Sequence, residues 1–572
     1  MKDMNESIHK LNYVLAMYDV RGKQNFIYRS THIKEIIGGS DIIRTIFQRE
    51  LYSVAKEYRN SEYTGNKDAE AIYAYHKPAG EQNAKSGTHV DESFKFSEFE
   101  KRMENPQYVG EVVYDGGGNF FILYKDEKTC KEITYLFTKS VLEKYITLKV
   151  VCTYISNLNP DRYHGTKDDP GDYERIYRQH RYTENEQLLT SPYGTLPIVQ
   201  VDYLTSMPLT CFSYRSRKEG KKVKLTTESA AKYARYEELY NNQGSLNGVP
   251  IPNEEILDKI VTGKGEESLL AVIYMDGNNM GASIEKCLEG ASGYDECVTR
   301  LRRFSADIQS VFIKKQADSF NSGSNKRMRL VIEAGDEVTV ICNARDAYSV
   351  VKAYMEKLSN LNQERKDFNH IYSSCAGIAI FHSHAPYAEA YRIAEECCES
   401  AKAFMREKEI QNVCMMDYHY CQGAIGVSLK RIRRDERTQE STRPWLVADM
   451  REDEEKKDYN ESKLVSRGQI MKMVRMLNVF GRSNMKDLNA AARMGNSTFE
   501  LEVHRIEAHL SAYQKKLLAC SECDMKTDIY ANLDYARKMI EDISIVYDLW
   551  NDEWQNEIGW QEIVAKAENE GE

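Results

Sequence analysis

One succession of elements appears twice in this chain, and it constrains the fold more than any single motif. The first copy opens on the apolar strand "NYVLAMYD" (12–19). In the segment "SDIIRTIFQRELYSVA" that follows, Ser40 is placed to cap a helix whose apolar face carries Ile42, Ile43, Ile46, Phe47, Leu51 and Val54. Then come "VVYDGGGNFFILY" (112–124), two apolar runs around a glycine-rich turn that read as a hairpin, a helix, and the strand "ITLKVVCTYI" (146–155). The second copy keeps the order: the strand in "AVIYMDGNNMG" (271–281), a helix over roughly 292–317, and the hairpin "RLVIEAGDEVTVIC" (329–342). A helix capped by Asn343 follows, then the strand "SSCAGIAIF" (373–381) and a helix with Tyr387, Ala390, Ala394, Cys397, Ala401 and Phe404 on one side. Strand, helix, hairpin, helix, strand, helix predicts an α+β fold, a sheet with helices packed on one face.

A chain of 572 residues is too long for one core, so several domains are expected. The repeat places the first copy at 1–160 and the second at 267–425, with a mixed connecting region at 161–266. Beyond about 425 the apolar periodicity reads as helical to the end, predicting a C-terminal helical bundle over 426–572. Apolar residues make up 41% and charged residues 29%, which excludes wholesale disorder. A net charge of -10 means that a nucleic acid would have to be held by local patches. No run of eighteen apolar residues occurs and the opening residues lack a signal-peptide pattern, so a cytoplasmic protein with no membrane contact is expected. The thirteen cysteines, several inside apolar runs, suit reduced buried thiols; Cys520 and Cys523 alone have metal-like spacing, open to an ordinary pair or a zinc site.

Chemistry concentrates in the second copy. Asp276 ends an apolar strand, and Asp336 and Glu337 stand at the tip of the hairpin. Hard divalent cations take oxygen ligands of this kind, and Mg²⁺ combines one or two carboxylates with water and the phosphates of a substrate. Two such ions can clamp the attacking hydroxyl and the leaving pyrophosphate of a nucleoside triphosphate. Gly277 and Gly281 then let main-chain N–H groups approach a phosphate.

"YMDGNNMG", "AGDEVTV", "AGIAIFHSHAPYAEA" and "ESAKAF", in this order, resemble the second palm domain of the large polymerase-like subunit of type III CRISPR effector complexes. That domain is similar in turn to GGDEF and class III nucleotide cyclases. "YDVRGKQNFIYRSTHIKEIIGGSDII" resembles the first palm of the family, and "DYHYCQGAIG" with "RPWLV" the segment after the second, so the likeness covers roughly residues 12–450. The resemblance implies two ferredoxin-like palms with an α/β connecting region. It puts metal ligands and catalytic acids at Asp276, Asp336 and Glu337, with Gly277 beside the metal. Nucleotide contacts are implied at Gly277, Asn278, Asn279, Met280, Gly281, Gly335 and Lys402, the lysine as a point charge on triphosphate oxygens. Where the family's hairpin usually reads Gly-Gly-Asp-Asp, this chain has Ala334 and Glu337 at the first and last positions, which keeps the charges.

The activity so implied is a metal-dependent nucleotidyltransferase, with two Mg²⁺ or Mn²⁺ ions per site, that makes cyclic or linear oligonucleotide second messengers from ATP in antiviral defence. Implied partners are nucleoside triphosphates, guide or target RNA with CRISPR effector subunits, and a downstream effector that senses cyclic oligonucleotides; a homo-oligomer stays open. A non-enzymatic RNA-binding scaffold and a mono- or dinucleotide cyclase are the alternatives. In the first copy the turn carries Gly118 and Asn119 in place of Asp336 and Glu337, so it is expected to be a degenerate palm, with Asp19 and Asp115 structural and its glycines serving a second nucleotide pocket. No adjacent His-Asp pair occurs and only Cys211 stands where the family has a four-cysteine module, so neither DNase activity nor that zinc module is expected. His382 and His384 are open to a metal or a loop role, and the basic runs at 215–224 and 429–437 to RNA or to solvent.

Overall fold

The structure is a computed structural model that describes residues 12–30, 32–75, 92–116, 119–186, 198–203, 205–214, 222–243, 245–246, 249–250, 260, 268–316, 319, 328–364, 371–423, 426–436, 441–451 and 464–569. It is a mixed α+β palm fold followed by helices, grouped into two compact units. The first unit holds residues 1–245, 279–314 and 331–336, the second 246–278, 315–330 and 337–572.

In the first unit, strand β1 (Val14–Arg21) is followed by helix α1 (Ile33–Ile46), strands β2 (Ile72–Tyr73), β3 (Gly110–Gly116) and β4 (Asn119–Tyr124), helix α2 (Glu127–Lys144), strand β5 (Lys149–Ile155) and helix α3 (Asp172–Glu186). The sheet order is β2-β3-β4-β1-β5, with β1 antiparallel to both neighbours and Asp19 opposite Asn119 and Val151. Ser40 caps nothing: it is buried inside α1, whose N-cap is His32. Packing against the helix Thr227–Gln243 carries α1 through Gly38 and Gly39, overriding their weak helix propensity.

The helix expected over 292–317 is present: α5 (Tyr294–Ile308) continues through a π-helical turn (Gln309–Ile313) and a 3-10 turn (Lys314–Gln316). A further helix, α4 (Met280–Leu288), precedes it across a turn in which Gly290 has φ of 75°. Both belong to the first unit. Leu288, Tyr294, Val298 and Leu301 lie in one core with Leu15, Met17, Phe121 and Ile155. Arg302 of α5, 1% exposed, donates to Val113 O at 3.0 Å and to Glu111 Oε1 at 3.2 Å. Glu111, fully buried, also accepts from Arg102 at 2.8 and 3.0 Å, so two guanidiniums neutralise it.

The other sheet is built from β6 (Leu269–Gly277), β7 (Met328–Ala334), β8 (Glu337–Asn343), β9 (Ser374–His382), β10 (Val413–Tyr420) and β11 (Trp445–Asp449), in the order β7-β8-β6-β9-β10-β11. Helices α6 (Ala347–Glu364) and α7 (Tyr387–Glu407) connect its strands. Residues 269 to 275 are all buried, as expected for a central strand with both faces covered. β11 corrects the wholly helical reading beyond 425: Trp445, Leu446 and Val447 are buried and extend the sheet past β10. Between them, helix α8 (Leu429–Glu436) carries the basic run: Lys430, Arg431 and Arg434 are exposed, while Arg433 turns inward. It makes a two-bond pair with fully buried Asp417 at 2.7 and 2.8 Å; against the cost of burial, Arg433 and Arg443 hold that carboxyl down at about 2.

Helices α9 (Arg467–Phe480), α10 (Arg482–Met494), α11 (Asn496–His509), α12 (Ala512–Cys520), α13 (Leu533–Glu557) and α14 (Trp560–Asn569) complete the second unit. α13 is the keel of this bundle, with Trp550 and Trp554 fully buried and Trp550 Nε1 donating to Ala344 O at 3.0 Å. Cys523 is buried with its thiol on Lys472 O at 3.5 Å. Among the described residues no helix is long and apolar enough to cross a membrane.

Candidate functional site

The site is set by where β6 stops. Its apolar run ends at Met275, which pairs with Val338 of β8; continuing that antiparallel register puts Asp276 directly across from Glu337. Directly opposed residues project to one face of a sheet, so the two carboxylates share a face. On the other side Asp276 pairs with Cys375 of β9, and Ser374 Oγ donates to Asp276 O at 3.0 Å.

Helix α7 crosses this face at Gly377. A Cβ there would collide with Ala394 O and Cys398 N, so only glycine permits the helix to lie so close to β9. The approach lays a polar stripe of α7 along the acids. Tyr391 Oη donates to Glu337 Oε1 at 3.3 Å and its ring meets Tyr274 edge to face at 5.5 Å. Lys402 Nζ donates to Asp276 Oδ2 and to Gly277 O, each at 2.7 Å. Burial works against the Lys402 ammonium, but the Asp276 carboxylate outweighs it and its pKa lies above the ordinary lysine value. Burial pushes the Tyr274 hydroxyl far up, with the charges of Glu337 and Asp276 adding to it. Glu395 is raised by burial, then by Glu396 and Asp276, which places a further carboxylate within electrostatic reach of the strand end.

The sequence reading missed Tyr391 and Glu395. Residues 391, 395, 398 and 402 fall at i, i+4, i+7 and i+11, so counting back from Lys402 along the helix would have found them.

The other expected residues divide as follows. Asn278 faces inward: its Nδ2 donates to Ser373 Oγ at 3.0 Å and Val413 O at 3.3 Å, and its N–H to Ser373 O at 2.9 Å. Both hydrogens of that carboxamide are engaged in holding the turn. Asn279, at φ of 55°, is the N-cap of α4 without a side-chain cap bond, so the first N–H groups of the helix beginning at Met280 face no capping oxygen. Gly281 is exposed, with nothing within 4 Å of a Cβ built on it. At the hairpin tip the positive φ, 66°, falls on Gly335, so Ala334 fits as the last residue of β7. Asp336, in the turn, belongs to the first unit; its charge is felt at Tyr114, whose hydroxyl is pushed up mainly by burial.

The donor set suits a hard divalent cation: a carboxylate oxygen and a main-chain carbonyl already converge on one ammonium, with a second carboxylate across the register. Among the described residues no cluster of three or more His, Cys, Asp or Glu is placed to hold a metal ion. His382 and His384 are exposed at the other end of β9, their rings 5.3 Å apart.

The first palm offers a contrast at the same position. Asp19 faces Asn119 across the register where Asp276 faces Glu337, and its basic neighbours are His180 Nε2 at 3.4 Å and Arg21. A cavity of about 620 Å³ opens there, lined by Asp19, Lys23, Asn119, Tyr177 and His180 among others. Gly118 lies outside the described residues. Asp115 accepts from Gln48 Nε2 at 2.8 Å, and burial raises its carboxyl to about 7.

An antiparallel core with a strand-end acid, a glycine-acid hairpin on the next strand and a lysine-bearing helix over both defines a palm domain. Residues 269–410 match the model of the Cas10/Cmr2 second palm domain. No curated protein matches the chain. Among solved structures, the chain is similar to a Csm1–Csm4 cassette in complex with AMPPNP at 10% identity and a TM-score of 0.41, covering 71% of this chain and 54% of that one. A Csm1–Csm4 cassette in complex with one ATP gives 12% identity and a TM-score of 0.41, covering 71% and 55%. Csm1 in T. onnurineus gives 12% and 0.38, covering 70% and 52%. The chain thus spans about half the length of the solved structures it matches.

Proposed function

We propose that this chain is a metal-dependent nucleotidyltransferase that joins ATP into cyclic or linear oligonucleotides acting as second messengers in antiviral defence. The observation that carries the reading is the convergence of Asp276 Oδ2 and Gly277 O on one cationic group, with Glu337 across the register, inside the family-matched stretch. Asp276, Gly277 O and Glu337 would hold Mg²⁺ or Mn²⁺, with Asp336 as the further acid that the resemblance implies. When bound, these ions stabilise the attacking 3′ oxygen and the departing pyrophosphate. The N–H groups at the start of α4, from Met280 and Gly281, take phosphate oxygens, helped by the helix dipole. The 3′ hydroxyl of one nucleotide forms a bond to the α-phosphorus of another, the bond to pyrophosphate breaks, and the hydroxyl proton passes to water.

The cavity of the first palm, with one carboxylate and an amide where the second has two carboxylates, takes a nucleotide without reacting it. ATP as the substrate, guide or target RNA, CRISPR effector subunits and a sensing effector follow from the resemblance to the family. The test is mass spectrometry of products from the purified chain with Mg²⁺ or Mn²⁺ and nucleoside triphosphates, with and without RNA. Adenylate oligomers are expected, and they vanish in an Asp336→Ala, Glu337→Ala variant. A mononucleotide product would make the chain a simple cyclase. Absence of product from every mixture, with RNA of defined length co-purifying, would make it a scaffold.

A further inference from the structure

Lys402 is 17% exposed, and its ammonium donates to two oxygens of the strand end, Asp276 Oδ2 and Gly277 O. A carboxylate oxygen paired with an adjacent main-chain carbonyl is what a hard divalent ion collects from a protein. The ammonium therefore stands on the oxygens that such an ion would use. Two cations competing for one pair of oxygens repel each other, and a half-buried site screens that repulsion less than open water does.

We propose that Lys402 is the resident counter-ion of the Asp276 and Gly277 oxygens, that it gives them up to an entering divalent cation, and that the released ammonium then takes triphosphate oxygens. This rests on Asp276 being a metal ligand, as read above. A lysine suits such an exchange because its four-carbon stem is flexible and its three donors rotate. The frame around it does not need to move: Ser374 Oγ holds Asp276 O, and the close crossing at Gly377 fixes the axis of α7.

The exchange makes metal and triphosphate binding mutually dependent. A divalent cation arriving alone must break a salt bridge and leave an ammonium without its partner. Arriving with a triphosphate, it brings that partner along, so each ligand raises the affinity for the other by the same factor. A lysine dedicated to phosphate from the outset would add no such exchange to the coupling that direct metal–phosphate contact already gives.

Mn²⁺ binding to the full chain, followed by electron paramagnetic resonance, tests this without reading any product. Lys402→Met is expected to bind Mn²⁺ about ten-fold more tightly than the parent in the absence of nucleotide, and to show a smaller affinity gain from a non-hydrolysable ATP analogue than the parent does. Equal or weaker Mn²⁺ binding in a folded Lys402→Met chain overturns the proposal. A second measurement needs no variant: acylation of Lys402 by an amine reagent, read by mass spectrometry, should rise on adding Mn²⁺ and fall again on adding the analogue. Acylation indifferent to Mn²⁺ overturns it equally. A chain that shows the exchange but makes no oligonucleotide would sink only the synthase reading, whereas synthesis with an Mn²⁺-insensitive Lys402 would sink only the exchange.

Discussion

Glu337 is one methylene longer than the aspartate at the end of the family's usual hairpin, and Tyr391 accounts for the extra reach by donating to Glu337 Oε1 at 3.3 Å. The hydroxyl fixes a flexible carboxylate, which is the purpose of a positioning residue. Tyr391→Phe should therefore lower turnover by about ten-fold, one hydrogen bond to a charged group, while thermal melting changes little. In a Glu337→Asp background the same change should cost much less, because the shorter acid no longer uses the hydroxyl; equal losses in both backgrounds would count against this role. Asp115 gives a prediction with a pH dependence. Its carboxyl titrates at about 7 in the folded chain against an ordinary value of 3.8, so between those values the native state holds a proton that the unfolded chain has lost. Stability on this account is whole below about pH 4 and falls as pH rises towards 7. Asp115→Asn, which keeps the Gln48 contact, should raise the melting temperature at pH 8 by several degrees and leave it nearly unchanged below about pH 4. A shift equal at both pH values would mean that the carboxyl is not the cause.

Among elements, the strands were legible and the helices less so. "AVIYMD" and "SSCAGIAIF" are nearly continuous apolar runs, and such runs are read correctly because both faces of a central strand are covered. Ser40 misled because a capping residue in the right context is only a local signal, and the neighbouring helix Thr227–Gln243 decided the outcome. On α7 the apolar face through Tyr387, Ala390 and Ala394 was visible, but the stripe at Tyr391, Glu395 and Lys402 was not. Its polar members break hydrophobic periodicity for the reason that they serve the site. The crossing at Gly377 ties the two faces together. Gly377→Ala should cost about 1–3 kcal/mol, seen as a lower denaturation midpoint, and should also depress activity by lifting Lys402 and Tyr391 off the acids. Loss of stability without loss of activity would show that α7 can shift and still serve the site.

For the whole molecule, two palms in tandem and a helical end were legible, because the order of elements repeats and each copy carries its own strand-end acid. The grouping of 280–308 with the first palm was not, since an amphipathic helix announces that it has an apolar face and not which sheet will cover it. Asp276→Asn should abolish synthesis while the chain still melts cooperatively within a few degrees of the parent, because the carboxylate is partly exposed and its lysine can turn to water. Collapse of the fold in that variant would return Asp276 to a structural role.

The packing of α5 also bears on how such a chain can change over time. Arg302 is anchored on Glu111 and Val113, and Tyr294 and Leu301 share a core with Leu15 and Phe121. A descendant that dropped the first palm would expose this apolar face and strand a buried guanidinium. The carboxylate-poor copy thus supplies the core that α5 needs whether or not its pocket binds anything.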